Sequence, residues 1–224
     1  MKKLTKTDSF QLKTEQTIEQ AKILFANEQF LDALYLFNAV LKIDSNNEYA
    51  KIKVAMCFMY LGKYRTAKEI LLCLIKNNSN NAEVYFALAE LYKLNFNYSI
   101  ALTYIAKALE IENHSSKYLL MTCELCYLQK DYDEAFHFIN LAIVQSPFKT
   151  ELYYWRALIF TKFKNYSIAV QDINKALSLN KHFADAYRLR AHCKLLMGDT
   201  NNYLHDIKLA QSITSTIGRR RYAA

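Results

Sequence analysis

The residues with the clearest potential for chemistry are two cysteines in the stretch CELC, Cys123 and Cys126. Two cysteines with this spacing can supply half of a zinc site or form a redox-active pair. A zinc site needs further ligands, yet the sequence has no second CxxC motif and no histidine at a ligand-like spacing from this one. The pair can therefore be interpreted only once the elements that carry it are known.

Catalytic motifs are missing from the sequence as well. It contains no glycine-rich phosphate-binding loop and no arrangement that suggests a catalytic triad. The five histidines are scattered along the chain: His114, His137, His182, His192 and His205. The sequence therefore predicts that the protein is not an enzyme, and it predicts no metal and no cofactor.

The composition favours a folded, almost entirely helical protein. Apolar residues make up 52% of the 224 residues and charged residues 22%, which is typical of a globular chain. Three glycines and one proline leave few residues that break helices or form special turns. No apolar stretch is long enough to span a membrane, no secretory signal opens the chain, and five cysteines fit a reducing compartment. We therefore expect a cytoplasmic protein.

The chain repeats with a period of 34 residues and without insertions. Position 8 of the repeat is small, and position 24 is large and apolar. The six blocks are 14–47, 48–81, 82–115, 116–149, 150–183 and 184–217. Their eighth residues are Ala21, Ala55, Ala89, Cys123, Ala157 and Ala191, and their twenty-fourth are Phe37, Leu71, Ile105, Ile139, Ile173 and Ile207. Small residues, which also occupy position 20 in five blocks, let two helices approach closely while the large residues fill the space beside them.

This pattern resembles the tetratricopeptide repeat over residues 14–217. The stretch AYRLRAHCKLLMGD (186–199) is similar to its first helix, and YDEAFHFINLAIVQSP (132–147) to its second. The resemblance implies an all-α fold, a right-handed α-solenoid (superhelix) of six helix–turn–helix repeats. It leaves a basic N-terminal segment, 1–13, and a basic C-terminal tail, 218–224, outside the repeats.

The repeat assigns CELC to helix packing. Cys123 occupies position 8, which alanine holds in the other blocks, and Cys126 occupies position 11, which is mostly large and apolar. A free cysteine in such a place behaves as a small apolar residue. We expect the same of Cys57, Cys73 and Cys193.

Two further features concern the second helix of each repeat. Ser99, Asp133 and Ser167 recur at position 18, and we expect each to cap the start of that helix. Residues 200–214 should form a capping helix that exposes His205, Lys208 and Gln211, because a terminal repeat has no successor to cover it.

The last two blocks depart together from the apolar pattern. Position 7 becomes Arg156 and Arg190, and position 23 becomes Asp172 and Asp206. Because position 7 lies on the first helix and position 23 on the second, we predict the structural ion pairs Arg156–Asp172 and Arg190–Asp206 within each repeat. An anion site built on the arginines is the functional alternative.

In the tetratricopeptide family a concave groove is lined by positions 2, 5, 6, 9, 12 and 13 of the first helices. The resemblance implies the partner-binding residues Ile52, Met56, Met59, Tyr60, Phe86, Glu90, Leu94, Leu120, Met121, Glu124, Tyr127, Tyr154, Trp155 and Leu158. This lining is apolar with acidic edges, so we expect a protein or peptide partner that is apolar or amphipathic. The alternative is that several of these side chains pack against neighbouring first helices.

Some members of the family grip acidic chaperone tails with Lys at position 5 and Asn at position 9. Here those positions hold Ile18 and Lys22, then Ile52 and Met56, then Phe86 and Glu90. We therefore do not expect a carboxylate clamp. Assembly scaffolding or chaperoning of a client protein remains a plausible context for the family.

The net charge of +8 raises the alternative of an RNA-binding helical array. Six of the eight excess charges lie in the segments 1–13 and 218–224, whereas phosphate binding needs a continuous basic track. Nucleic acid is therefore not the expected partner. Self-assembly, in which another copy covers the groove, is the remaining alternative.

Overall fold

The computed structural model describes the backbone of residues 6–77 and 79–222 and the side chains of 12–77 and 79–215. Within these residues the chain forms twelve α-helices and no strand, so the prediction of an all-α helical repeat fold is confirmed. The helices are α1 (Lys6–Ala26), α2 (Phe30–Ile43), α3 (Glu48–Tyr60), α4 (Tyr64–Lys76), α5 (Ala82–Leu94), α6 (Tyr98–Ile111), α7 (Ser116–Leu128), α8 (Tyr132–Gln145), α9 (Thr150–Lys162), α10 (Tyr166–Leu179), α11 (Ala184–Leu196) and α12 (Thr200–Tyr222).

The helices form two compact units that divide between Glu112 and Asn113. Helices α1–α6 belong to the first unit and α7–α12 to the second, so each unit contains three helix pairs. In every pair the first helix ends at position 13 of the repeat and the second begins at position 17. The period of 34 residues is therefore visible in the helix boundaries themselves.

The small and large residues of the repeat meet where the two helices of a pair cross. The alanines at positions 8 and 20 have no exposed surface in the first unit, as with Ala55 and Ala67. Position 24 is also fully buried, with Leu71 and Ile105 in the first unit and Ile139 and Ile173 in the second. The packing expected from the two columns is confirmed, because small side chains allow the approach and large ones fill the remaining volume.

The turn inside each pair has the same backbone in all six repeats. Position 15 has a positive φ every time, with Gly62 and Gly198 but also with the non-glycine residues Glu28, Phe96, Lys130 and Lys164. In the second repeat the amide of Gly62 bonds to the carbonyl of Met59, and the amide of Lys63 bonds to that of Phe58. These two hydrogen bonds define a Schellman motif, which ends the first helix.

This turn explains why the predicted caps of the second helices were wrong. The second helices begin at position 17, so Ser99, Asp133 and Ser167 lie inside the first turn and not at its cap. The cap is at position 16, whose amide is already held by the Schellman motif. There Asp131 accepts a hydrogen bond from the amide of Glu134 at 3.2 Å, the one such side-chain cap that the described residues of α6, α8 and α10 contain.

Both terminal helices extend beyond the repeats. Helix α1 begins at Lys6, inside the segment 1–13, and helix α12 continues to Tyr222. The run of arginines at 219–221 therefore lies on helical backbone, where a separate tail after residue 217 was expected, and its side chains lie outside the described residues. No proline interrupts this stretch, and a single glycine in a helix lowers its stability without ending it. Across the described part of the chain, no helix is long and apolar enough to cross a membrane.

Candidate functional site

The cysteines of CELC lie in the helix packing of the second unit. Cys123 and Cys126 are both buried, and burial raises the pKa of both thiols, that of Cys126 to about 11. No group of three or more potential metal ligands occurs among the described residues. Burial and a raised pKa make a thiol unreactive, so this pair has the properties of apolar packing.

The remaining cysteines divide into two kinds. Cys57 and Cys193 are buried, and burial raises their pKa values to about 12 and about 11. Cys73 differs from the expectation because its side chain is exposed on the second helix α4. It occupies position 26, which lies away from the interior of the pair.

The fourteen residues expected to line the groove divide into buried and accessible residues. Five of them are buried within their own unit, and these are Ile52, Met56, Met59, Phe86 and Met121. Ile52, Met56 and Met59 belong to an apolar cluster that also contains Val84 and Leu88 of the next repeat. They fill the space between consecutive repeats, as the packing alternative stated, and are not a lining that a partner could contact.

The accessible groove residues of the first unit are already in contact with other side chains of the chain. Tyr60, 37% exposed, stacks on Phe30 with a centroid distance of 4.7 Å and donates a hydrogen bond from its hydroxyl to Glu90. Burial, and then the charge of Glu90, raises the pKa of Tyr60 far above its usual value. Leu94 is half-buried and packs against the apolar core cluster of this unit. Glu90 is therefore engaged within the chain.

A second cluster of the first unit was missed by the sequence analysis. Lys53, at position 6, lies 3.4 Å from a carboxylate oxygen of Glu83 and above the rings of Phe25 and Tyr49, at 5.6 and 5.4 Å from their centroids. The signal for this contact was a lysine and a glutamate 30 residues apart, at positions 6 and 2 of successive blocks. With Glu83 and Glu90 engaged, the acidic edge of this unit is largely internal.

The second unit keeps more of the expected groove residues partly accessible, since of its seven only Met121 is buried. Trp155 packs edge-on against Tyr127 at 5.6 Å, and Tyr127 packs edge-on against Tyr132 at 5.4 Å. The amino group of Lys162 lies 5.6 Å from the ring centre of Tyr127. Tyr154 lies against Phe183, and its pKa is raised by burial and then by Asp185.

The other predicted residues of this face are half-buried, and these are Leu120, Glu124 and Leu158. Together with Tyr127, Tyr154 and Trp155 they form what we call the aromatic face of the second unit. It combines large apolar side chains with partial exposure, which among the expected groove residues of the first unit is found at Tyr60 and Leu94.

The structure brings both arginine–aspartate pairs together in bidentate geometry. Arg156 donates to the two carboxylate oxygens of Asp172 at 2.8 and 2.7 Å. Arg190 does the same with Asp206 at 2.8 and 2.6 Å. A guanidinium matches a carboxylate well in this geometry, and the paired aspartate balances the charge of each arginine.

Each pair also includes groups that the sequence analysis did not identify. Arg156 donates to Asn140 of the preceding repeat at 3.0 Å, and Arg190 donates to Asn174 at 2.6 Å. Asp206, which is fully buried, further accepts a hydrogen bond from Lys194 at 2.9 Å. Burial alone would raise the pKa of Asp206, but the bonds from Arg190 and Lys194 outweigh it and hold that pKa below its usual value. The pairs therefore join neighbouring repeats as well as the two helices of one repeat.

Among the residues of α12 whose side chains are described, 200–215, the surface is polar as expected, with Leu204 as an apolar exception. His205, Lys208 and Gln211 are exposed, and so is Leu204, with 56% of its surface accessible. Leu204 stands at position 21, where Val170 of the preceding repeat packs into a core cluster.

Comparison with known proteins agrees with this architecture. A model of the tetratricopeptide repeat matches residues 82–115 and 150–183, which are two of the blocks read from the sequence. Hsc70-interacting protein 1 of Drosophila melanogaster is 31% identical over 107 residues, 48% of this chain, and the match spans 28% of that protein. The chain thus covers less than a third of the curated relative.

Two solved structures share the fold. PilF of Pseudomonas aeruginosa superposes with a TM-score of 0.74 at 13% identity, covering 96% of this chain and 98% of that one. A thermophilic TPR protein of Thermus thermophilus gives a TM-score of 0.71 at 19% identity, covering 81% and 99%. The repeat model, the relative and these folds agree with the helix pairs described above. The chain contains tetratricopeptide repeats, which the family model matches at residues 82–115 and 150–183.

Proposed function

We propose that the chain binds a segment of a partner protein on the aromatic face of its second unit. Tetratricopeptide repeat proteins generally mediate protein–protein interactions, and this family supplies the class of function. The observation that supports the location is the contrast between the two units. Trp155, Tyr127 and Tyr154 are partly exposed, whereas four of the seven expected groove residues of the first unit are buried: Ile52, Met56, Met59 and Phe86.

The chemistry of this face favours an amphipathic segment. Large aromatic side chains that keep partial exposure serve as anchors for apolar side chains of a partner. Trp155 and Tyr127 lie edge to face, and both rings remain partly accessible. Glu124 beside them adds negative charge that favours a segment with basic residues.

A chaperone-tail mode is not part of this proposal. The fly relative is named for its interaction with Hsc70. In the present chain the clamp positions of the first three repeats hold Ile18 and Lys22, Ile52 and Met56, and Phe86 and Glu90. Three of these residues, Ile52, Met56 and Phe86, are buried, so they cannot bind an acidic tail.

Site-specific photo-cross-linking tests the location of the site. A photo-reactive phenylalanine analogue replaces Trp155 on the aromatic face or, as a control, His137, which is exposed on the second helix α8 of the same unit. We expect the analogue at 155 to give a protein adduct in native lysate and the one at 137 to give none. Addition of excess unlabelled wild type should abolish the adduct, whereas excess Trp155→Ala variant should not.

Three outcomes would contradict the proposal. Equal adducts from both positions would mean that the aromatic face has no preference for a partner. A band formed only between two copies of this chain would indicate self-assembly. Retention of nucleic acid that falls steeply with added salt would indicate RNA binding instead.

A further inference from the structure

The outer side of the first unit contains an open crevice between the second helices α2 and α4, above the first helix α3. Its volume is about 530 Å³, within the range of small-molecule sites. Its lining residues are Asn38, Leu41, Lys51, Val54, Phe58, Glu69, Ile70, Cys73, Leu74 and Asn77. None of them belongs to the first-helix positions of the expected groove. We call this space the outer crevice.

The floor of the outer crevice is apolar and its rim is polar. Val54 and Leu74 form the deepest part, with 5% and 6% of their surfaces exposed, and Phe58 and Ile70 flank them half-buried. Polar side chains and the exposed thiol of Cys73 lie around the opening. An apolar cavity with a few polar groups at its edge is the usual form of a ligand site.

The same place in the next repeat is occupied by tyrosines of the chain itself. Tyr85, Tyr92 and Tyr104 stand at positions 4, 11 and 23, which in the second repeat are Lys51, Phe58 and Ile70. The rings of Tyr92 and Tyr104 stack at 5.4 Å, and the amino group of Lys107 lies 6.0 Å from the centres of Tyr85 and Tyr104.

Position 4 makes the clearest difference between these two repeats. Tyrosine occupies it in the third, fifth and sixth blocks, as Tyr85, Tyr153 and Tyr187, whereas the second block has Lys51. A lysine is flexible and turns its charge toward water, so it does not fill an apolar crevice as a phenol ring does. The outer crevice therefore lies where the next repeat has aromatic rings.

The charges at the rim favour an anionic group at one end of the ligand. Lys51 makes no ion pair with any described residue. Glu69 is the acidic residue of the lining, and its carboxylate is 3.0 Å from the guanidinium of Arg65. The rim thus offers one available ammonium group and one carboxylate that is already balanced.

We propose that the outer crevice binds a small amphiphile with a planar aromatic body and one anionic group. The aromatic body lies on Val54 and Phe58 in place of the missing tyrosine rings, and the anion lies at Lys51. Burial of the rings supplies most of the affinity, because apolar surface leaves water. A charge-assisted hydrogen bond to Lys51 selects the anionic ligand over its neutral analogue. The site is independent of the aromatic face of the second unit.

Two fluorescent probes of nearly the same shape test the proposal. 8-Anilinonaphthalene-1-sulfonate carries the anion, and N-phenyl-1-naphthylamine lacks it. We expect saturable binding of the sulfonate to the full chain, about tenfold tighter than the neutral probe, as one charged hydrogen bond provides. In Lys51→Met this preference should disappear while the neutral probe binds as before.

The thiol of Cys73 reports whether the probe occupies this crevice and not another apolar surface. It is exposed in the lining, whereas the other four cysteines are buried. Saturating sulfonate probe should slow alkylation of native Cys73 by iodoacetamide several-fold. Probe fluorescence without protection of Cys73 would place the binding elsewhere and overturn the proposal.

Filling the crevice provides the decisive variants. Lys51→Tyr and Ile70→Tyr copy residues that the next repeat already carries at the same positions, Tyr85 and Tyr104. Each should weaken the sulfonate probe at least tenfold, whereas Lys42→Tyr, an exposed position outside the lining, should not. Circular dichroism checks that each variant is folded. Unchanged affinity in both filled variants would overturn the proposal, and so would a lack of binding by wild type.

Discussion

The same crevice between consecutive second helices is built in two opposite ways in this chain. In the second repeat it is open and apolar, with Val54 at position 7 and Ile70 at position 23. In the fifth repeat those positions hold Arg156 and Asp172, which form a bidentate ion pair and reach back to Asn140. The helices begin at the same positions in both repeats and end within one residue of each other, so the side chains are the main difference between the cavity and the polar link.

This difference gives the second and fifth repeats different roles. A bidentate pair that also bonds to the preceding repeat fixes how two helix pairs sit against each other, within the second unit. An open apolar crevice contributes no such link and leaves surface for a ligand. Stability and binding therefore come from equivalent positions in different repeats.

The sixth repeat has an equivalent polar link, formed by Arg190, Asp206 and Asn174. The largest expected effect comes from removing the carboxylate of Asp206, its most buried member. Asp206→Ala leaves Arg190 and Lys194 without their carboxylate, although each side chain is only 18% exposed. Loss of one partner from a buried pair costs about 3–5 kcal/mol. Urea unfolding followed by circular dichroism measures this loss. Asp185→Ala is the matched control, because Asp185 forms an exposed pair with Arg188, and it should cost less than about 1 kcal/mol. Equal losses in the two variants would contradict the structural role of the link.

A smaller effect is expected when the polar link is converted into the apolar pair of the second repeat. Asp172→Ile alone leaves Arg156 without its carboxylate and should cost about 2–4 kcal/mol. The double variant Arg156→Val with Asp172→Ile recreates the pair Val54 and Ile70, and it should recover most of that loss. A double-mutant cycle from urea unfolding measures the coupling. Additive losses would show that the two positions act independently.

The smallest expected effect is a dependence on pH. The pKa of Asp206 is lowered in the folded chain, so its charge stabilises the fold above the unfolded-state value, about 3.9. That contribution is lost as the pH falls from this value through the lower folded-state pKa. The free-energy difference between wild type and Asp206→Asn should therefore narrow between pH 5 and pH 2. If the free-energy difference stayed constant over this range, the charge of the Asp206 carboxylate would not contribute to stability.

The repeat pattern was enough to predict the helix pairs and the partners Arg156 and Asp172. Both predictions rest on columns that are compared within one sequence, where positions 7 and 23 change in the same two blocks. Asn140 could not be found in this way, because position 25 is also asparagine in the first repeat, at Asn38, where no arginine faces it.

The exposure of the groove residues depended on distances that the sequence does not carry. Met56 and Trp155 both belong to the positions assigned to the groove, yet Met56 is buried and Trp155 is half-buried. The exposed fraction of each side chain depends on how closely the first helix of the next repeat approaches. That distance is set by the side chains of both repeats. The outer crevice was missed for the same reason, because Lys51 indicates a cavity only when the tyrosines of the next repeat are seen in place.

The six turns at position 15 limit the thermal stability of this chain. Each turn adopts the left-handed backbone whether the residue is glycine or not, so the packed helices impose the geometry on Glu28, Phe96, Lys130 and Lys164. A side chain in this region costs on the order of 1 kcal/mol relative to glycine. Four of the six repeats thus hold unused thermostability, accessible by single substitutions to glycine.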